Sequence, residues 1–294
     1  MIEKKAKIKL IITFFAFGLI SLIVKYVDVP SSVICAFRGV FGALFILISF
    51  PVLKKKIDWH SIKKNLVPLV VTGAIMGFNW AVFFESYNYT SVAIATVCYY
   101  MQPIFLLVGS VLLLGEKFTL KKTACLFIAI FGMVFVTGVF NGNADPSNKP
   151  LGAILGVLAG FMYAVVVLIN KKMKDIPASE CTMIQLAVAG TVMTIYSFIT
   201  VDKTEVDFNL RTIILLLVLA IVLTGLCYTV YFDSIKKVPA QTVGILGYID
   251  PITSVLCSAI VLKEPLGITT LIGAILILGS TFISEINFKK KEIE

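Results

Sequence analysis

The sequence predicts an all-α membrane protein with ten transmembrane helices, arranged as two inverted repeats of five helices each. Hydrophobic residues make up 59% of the chain and charged residues only 15%, far from the balance of a soluble domain. Its apolar runs are each about 20 residues long, which is the length that crosses a bilayer. A motif in the first half also returns, in degraded form, in the second half.

The ten predicted spans follow the apolar runs in chain order. They lie near residues 8–27, 32–53, 65–85, 90–114, 119–140, 150–171, 178–200, 211–233, 239–262 and 266–286. Between the fifth and sixth spans lies the longest polar interruption, which is rich in turn-forming residues. Residues 1–140 therefore form the first predicted repeat, 141–149 an extracytoplasmic linker, and 150–294 the second repeat.

The basic residues predict the orientation, because cytoplasmic loops retain lysine and arginine. With the N-terminus inside, only Lys25, Lys149, Lys203, Arg211 and Lys263 fall in outer loops. Apart from one arginine within a span, all other basic residues fall on the inner side. We therefore expect a multi-pass protein of the cell membrane with both termini in the cytoplasm. A nucleic-acid partner is not expected despite the net charge of +9, since the cations occupy short loops.

The repeat is clearest between residues 85–117 and 233–265. Phe84, Ser86, Tyr100, Pro103 and Glu116 align without gaps with Phe232, Ser234, Tyr248, Pro251 and Glu264, each pair 148 residues apart. Because each half has an odd number of spans, the second half enters the membrane from the opposite side. Inverted repeats of this kind are typical of alternating-access transporters.

Pro103 and Pro251 lie near the middle of the fourth and ninth spans. Proline has no N–H, so the carbonyls of Tyr99 and Gly247 lose their helical partners and both helices should bend. Each bend is either a structural kink or part of a gate. Their pairing by the repeat favours a cavity at the membrane midplane, with the two prolines as gating points.

Asp250 and Arg38 are the costly charged groups within spans. Asp250 lies near the centre of the ninth span, where it either exchanges a proton during transport or forms an interhelical hydrogen bond in its protonated form. Arg38 either extends to the outer surface or pairs with Asp250 or an anionic substrate group. Gln102 occupies the position of Asp250 in the first repeat.

Aromatic residues gather on the predicted bent helices and on the spans directly before them. They are Trp80, Tyr99, Tyr100, Tyr228 and Tyr248, with Asn79 beside Trp80. These residues either pack in the helix bundle or stack on a planar or cationic ligand. Together with Arg38, Gln102 and Asp250 they form the predicted substrate-binding site.

Other polar residues are predicted to have structural roles. Glu85 and Asp233 lie at helix ends and should be solvated or act as caps, and Glu116 and Glu264 should stabilise the N-termini of the helices that follow them. The six cysteines all lie in apolar runs, and the single histidine lies in a basic loop. Neither residue type forms a metal or disulfide pattern, so we expect no metal, cofactor or catalytic residue.

These residues resemble paired EamA domains of the drug/metabolite transporter superfamily. The resemblance is most specific in residues 78–105, 112–136 and 244–280 and in the CAFRGVFGALF segment that contains Arg38. It implies a ten-helix carrier built from two inverted repeats, often an exporter of amino acids or other small metabolites. The chain departs from the family at Ala16-Phe17-Gly18, where Trp-Gly is usual, and at its basic Lys171-Lys172 pair.

We therefore expect a secondary active transporter that exports a small organic metabolite, such as an amino acid, by alternating access. Its partners would be the substrate and the lipid bilayer, with protons as a candidate coupling ion. One alternative is a receptor or structural membrane protein, which would explain the hydropathy but not the matched prolines. Another is an intramembrane enzyme, but G-x-S-x-G, H-E-x-x-H and paired His-Asp patterns are missing from the sequence.

Overall fold

The computed structural model describes residues 2–90, 92–117, 119–136, 150–202, 208–261 and 268–285, and all regular structure in these ranges is helical. Eight helical segments are long and apolar enough to cross a membrane. They are Ile2–Val24, Ser31–Val52, Leu66–Ser86, Ile94–Leu114, Pro150–Lys172, Ala178–Thr200, Leu210–Ile235 and Ala240–Val261. The prediction of an all-helical, multi-pass membrane protein is thereby confirmed.

The helices of the first half begin with α1 (Ile2–Val24) and α2 (Ser31–Val52), followed by the short α3 (Trp59–Lys64). The remaining helices of that half are α4 (Leu66–Ser86), α5 (Val92–Tyr99), α6 (Gln102–Leu114) and α7 (Leu120–Val136). At 17 residues, α7 is shorter than the eight long segments.

The second half begins with α8 (Pro150–Lys172) and α9 (Ala178–Thr200). A π-helical turn (Ile221–Leu226) then joins α10 (Leu210–Ala220) to α11 (Cys227–Ile235). The last helices are α12 (Ala240–Leu246), α13 (Ile249–Val261) and the 18-residue α14 (Ile268–Glu285).

Prolines and a glycine set several of these boundaries. Pro30, Pro177 and Pro239 are the N-cap residues of α2, α9 and α12. Proline suits the start of a helix because the first N–H groups have no partner inside it. Gly115 ends α6 with φ 65°, a left-handed conformation that glycine adopts at low cost.

The two predicted bends are breaks between helices. Residues 100–101 separate α5 from α6, and residues 247–248 separate α12 from α13. Pro103 and Pro251 lie in the first turn of α6 and α13. The N–H groups of the first turn have no partner within the helix, so a proline there removes no helical hydrogen bond. Each break therefore lies about one turn before its proline.

The helices pack closely where small residues meet. The longest contact is between α2 and α9, and other extensive contacts join α7 to α14, α4 to α8 and α9, and α1 to α13. At the α2–α9 crossing, a Cβ atom built on Gly39 would lie 2.5 Å from the Cα atom of Gly190. Any larger residue would push the two backbones apart, so glycine is what permits this crossing.

Candidate functional site

A cavity of about 550 Å³ lies between the two halves of the chain, lined by residues from α1, α2, α4, α5, α6, α7, α8, α11 and α13. Most of its lining is aromatic or aliphatic. A small number of polar groups converge on it, among them Arg38, Asn79, Gln102 and Asp250. Its volume and lining are those of a small-molecule binding site.

Most of the residues that the sequence singled out line this cavity. They are Arg38, Asn79, Trp80, Tyr99, Tyr100, Gln102, Tyr228, Asp250 and Pro251. Tyr248 and Pro103 do not. Tyr248 is fully buried outside the lining, and its hydroxyl donates to the backbone carbonyl of Tyr100 at 2.9 Å. Pro103 packs against Gly244 of α12. Both residues therefore join the two helix breaks to each other, which corrects the predicted place of Tyr248 in the cavity.

Arg38 is directed inward from α2 and is only 9% exposed. Its Nε donates to the hydroxyl of Thr224 at 2.9 Å, and its guanidinium lies 5.6 Å from the centre of the Trp80 ring. The cation is therefore held between a hydrogen-bond acceptor and an aromatic face. The Arg38 side chain therefore lies inside the bundle and does not extend to the outer surface.

Asp250 lies in the first turn of α13, beside the break that separates this helix from α12. Tyr100 and Arg38 line the same cavity as its carboxyl group. The N-terminus of α13 also favours negative charge at this point. One carboxyl and one guanidinium group thus share the cavity.

Several aromatic residues of the cavity were missed by the sequence reasoning. On α1, Phe14 and Phe17 line it, and Phe17 packs 5.1 Å from Tyr228, centre to centre. Across the bundle, the hydroxyl groups of Tyr163 and Tyr231 are hydrogen-bonded to each other. Phe14, Phe17, Ser21 and Val24 follow helical spacing, and this one-sided pattern is the signal that could have identified the α1 face.

The cavity extends toward one end of the bundle only. Chain connectivity places the α1–α2 and α4–α5 connections together at this end, and the lining reaches residues beside them, including Val24, Ser31 and Tyr87. The other end contains the N-terminus of α1 and the α2–α3, α6–α7, α8–α9 and α11–α12 connections. We call it the lysine-rich end. Phe14, Tyr163 and Tyr231 form the floor of the cavity on that side.

Beyond this floor, Glu116 and Lys171 close the lysine-rich end. Oε1 of Glu116 accepts from the backbone N–H of Ala240 at 2.7 Å. Nζ of Lys171 donates to the carbonyls of Ile235 and Val238 and lies 4.0 Å from Glu116. Glu116 therefore binds the N-terminus of α12, whereas the sequence predicted that it stabilises the N-terminus of α7. Its repeat partner Glu264 lies outside the described residues.

Further contacts join helices at the lysine-rich end. Lys9 pairs with Asp233 at 3.3 Å, and Lys64 pairs with Asp175 at 2.9 Å. The Lys64 ammonium lowers the pKa of the Asp175 carboxyl group, because it favours the ionised form. At the opposite end, the hydroxyl of Tyr196 donates to Glu85 at 3.1 Å. Glu85 and Asp233 therefore bind neighbouring side chains near helix ends.

A buried acidic residue was also missed. Glu180, in the first turn of α9, is only 3% exposed. It accepts hydrogen bonds from the Asp58 backbone N–H at 3.3 Å and from the Ser179 hydroxyl at 2.7 Å. A backbone N–H from Ser61 in turn lowers the pKa of Asp58, whose carboxylate caps α3. In the described part of the chain, no three His, Cys, Asp or Glu residues could hold a metal ion.

Comparison with known proteins agrees with this architecture. The model of the EamA-like transporter family matches twice, over residues 4–138 and 150–285. An uncharacterized transporter, YxxF of Bacillus subtilis, is 24% identical over 88% of this chain and 82% of its own length. A probable amino-acid metabolite efflux pump of Escherichia coli is 24% identical, with 83% of each chain covered.

A solved crystal structure superposes with a TM-score of 0.84 at 15% identity, covering 96% of this chain and 97% of the other. This likeness concerns the fold alone. The family model covers nearly the whole length of the sequence in its two matches. The chain belongs to the EamA-like transporter family.

Proposed function

We propose that this protein is a secondary active transporter that exports a small zwitterionic metabolite, such as an amino acid, by alternating access. The observation that carries the proposal is a cavity, lined mostly by aromatic and aliphatic residues, that contains both Arg38 and Asp250 and is closed at the lysine-rich end. A relative named as a probable amino-acid metabolite efflux pump supports the same class of substrate.

The proposal includes ten spans in two inverted repeats, residues 1–140 and 150–294, joined by 141–149. It is supported by the helix bounds, since adding 148 to those of α1 (Ile2–Val24) gives those of α8 (Pro150–Lys172). The packing is also reciprocal: α5 and α6 pack on α8, and α12 and α13 pack on α1. In this arrangement α7 and α14 are the fifth and tenth spans, and their 17 and 18 residues suffice for a short span.

Substrate recognition follows from the charges of the cavity. Arg38 has a planar fork of N–H donors that suits a carboxylate. Asp250 and the faces of Tyr99 and Tyr228 suit an ammonium group. Gln102 is buried, and its Oε1 has no hydrogen-bond partner among the described residues, so it is an acceptor for a further N–H of the substrate. Both ends of a zwitterion thus have partners in one cavity.

In alternating access, one end of the transporter is open while the other is closed, and the two ends exchange these states during the cycle. In this conformation the lysine-rich end is closed, and the positive-inside rule assigns that end to the cytoplasm. The conformation is therefore outward-facing, with both termini cytoplasmic in the cell membrane. Opening toward the cytoplasm requires Glu116 to leave α12 and the Tyr163–Tyr231 pair to separate. The breaks before Pro103 and Pro251 are where the helices can bend.

Asp250 supplies a means of proton coupling. A carboxylate in the middle of the membrane is costly unless it is protonated, paired or hydrated. Substrate and proton can therefore share or compete for this group, so that only certain occupied states reorient. Asp250→Asn keeps the size and hydrogen bonding of the side chain but removes its titration.

The test uses purified protein in proteoliposomes with labelled L-leucine and L-phenylalanine. Wild type should accumulate substrate when a pH gradient is imposed. Asp250→Asn should retain exchange but lose this accumulation. Transport by wild type that is indifferent to the gradient, or continued accumulation by the variant, would refute proton coupling. Failure of both amino acids to be transported would refute the proposed substrate class.

A further inference from the structure

We infer that Thr224 is a positioning residue for substrate recognition: a π-helical turn brings its hydroxyl to Arg38 and orients the guanidinium toward the substrate carboxylate. The inference rests on the proposed function, because it assigns to Arg38 the role of binding that carboxylate. It adds a residue on another helix, outside the cavity lining, that determines how well Arg38 performs this role.

The π-helical turn is the first observation. It covers Ile221–Leu226, between α10 and α11, in a segment that is otherwise α-helical. A π-turn inserts one residue, which rotates the rest of the helix by about 100° relative to a continuous α-helix. Such turns are rare and occur often at functional sites. This turn lies immediately before the part of α11 that supplies Tyr228 and Tyr231 to the cavity.

The partner of the Thr224 hydroxyl is the second observation. Thr224 is fully buried, and its Oγ1 accepts from Nε of Arg38 at 2.9 Å. By contrast, the hydroxyl groups of Thr182 and Thr229 donate to the carbonyl four residues earlier in their own helices. The hydroxyl at position 224 thus joins two helices that belong to different halves of the chain.

Close packing keeps α2 against this turn. A Cβ atom built on Gly42, one turn after Arg38, would lie 3.2 Å from the carbonyl oxygen of Ala220. From the other side, a Cβ atom on Gly225 would lie 3.3 Å from the carbonyl oxygen of Gly42. The two backbones therefore approach closely on the face that carries Arg38, and Thr224 has little freedom to move away from it.

The hydrogen bond has a direct consequence for binding. It uses Nε, one of five N–H donors of the guanidinium, while the terminal nitrogens supply the fork that a carboxylate needs. The Trp80 ring lies 5.6 Å from the guanidinium carbon and further limits its movement. Without the hydroxyl, the guanidinium can turn away from the orientation that presents its terminal nitrogens to the substrate carboxylate. Binding of the carboxylate would weaken, whereas the partners of the ammonium group would be unchanged.

The test compares transport of L-phenylalanine and phenethylamine, which differ by the carboxylate. Thr224→Val, which keeps the shape but loses the hydroxyl, should raise the KM for L-phenylalanine about 10-fold, as expected for one hydrogen bond to a charged group. Its maximal rate should change little, and Thr224→Ser should restore the wild-type KM. The KM of Thr224→Val for phenethylamine should not rise. Thr229→Val is the matched control on the same helix, with wild-type kinetics for both compounds.

The outcomes separate this inference from the proposed function. If Arg38→Gln transports L-phenylalanine as well as wild type does, carboxylate recognition by Arg38 is wrong. If Arg38→Gln is defective but Thr224→Val behaves like wild type, or raises the KM for both compounds equally, the positioning role is wrong. Thr224→Ala also removes the hydroxyl and should show the same selective KM increase. It takes the place of Thr224→Val in the test if the valine variant does not fold. A wild-type KM in a folded Thr224→Ala protein would also overturn the inference.

Discussion

Replacement of Glu116 by alanine should shift this protein toward the conformation that is open at the lysine-rich end. Glu116 follows α6 in the first half of the chain, and its carboxylate binds the start of α12 in the second half. Its two oxygens accept from the backbone N–H groups of Ala240 at 2.7 Å and Gln241 at 3.5 Å. Lys171, 4.0 Å away, adds an opposite charge. These contacts must break when the end opens.

The size of the shift follows from those contacts. A hydrogen bond to a charged group contributes about 1.5–3 kcal/mol to stability, and loss of an N-cap costs about 1 kcal/mol. The Glu116 and Lys171 side chains are only 18% and 10% exposed, so solvent screens their attraction weakly. We take about 2 kcal/mol as the net loss, because water replaces part of the contacts in the open state. This corresponds to about a 30-fold shift in the equilibrium.

Cysteine labelling measures this shift. In a cysteine-free background, Val238→Cys places a thiol at a position that is 2% exposed in the closed conformation. A membrane-impermeant maleimide applied from the cytoplasmic side should label it about 10 to 30 times faster when Glu116→Ala is added, if labelling follows the open population. Glu3→Ala is the control, because this exposed carboxylate pairs with Lys7 within α1. Equal rates with and without Glu116 would refute the closure role.

Two further predictions concern helix packing and helix breaks. Gly39→Ala should lower the unfolding temperature in detergent, since overpacking costs about 1–3 kcal/mol and its Cβ would meet a backbone atom at 2.5 Å. Gly279→Ala, whose Cβ would have no atom of another helix within 4 Å, should not lower that temperature. Pro103→Ala and Pro251→Ala should slow transport while folded protein, measured by size-exclusion chromatography, stays near the wild-type amount. Wild-type rates in the double variant would make both prolines incidental to gating.

The sequence was sufficient to predict the features that repeat or that are costly in a membrane. Pro103 and Pro251 were identified because an unmade backbone hydrogen bond is expensive in lipid, and both lie next to helix breaks. Arg38 and Asp250 were identified because a charged group within an apolar span is costly unless it is paired or hydrated. Both residues line the cavity. These signals depend on composition and register, which are present in a single sequence.

The features that were missed depend on which elements meet. Glu116 was assigned to the nearest helix start in the chain, but the left-handed turn at Gly115 lets it reach α12, more than 120 residues away. Thr224 carried no signal because a π-turn is not visible in helix propensity. Phe17 and Tyr163 are ordinary aromatic residues of apolar spans until the packing of α1 and α8 brings them to the cavity.

The floor of the cavity and the Glu116 contact should act as two layers of one closure. Tyr163→Phe removes the hydrogen bond between the hydroxyls of Tyr163 and Tyr231, which is worth about 1 kcal/mol. Alone, it should speed labelling of Val238→Cys about fivefold. If both layers break in the same movement, the effects of Tyr163→Phe and Glu116→Ala should multiply, because free-energy changes at separate sites add. If the double variant labels no faster than Glu116→Ala, the lysine-rich end opens without separation of the floor, and the proposal that opening requires the Tyr163–Tyr231 pair to separate is wrong.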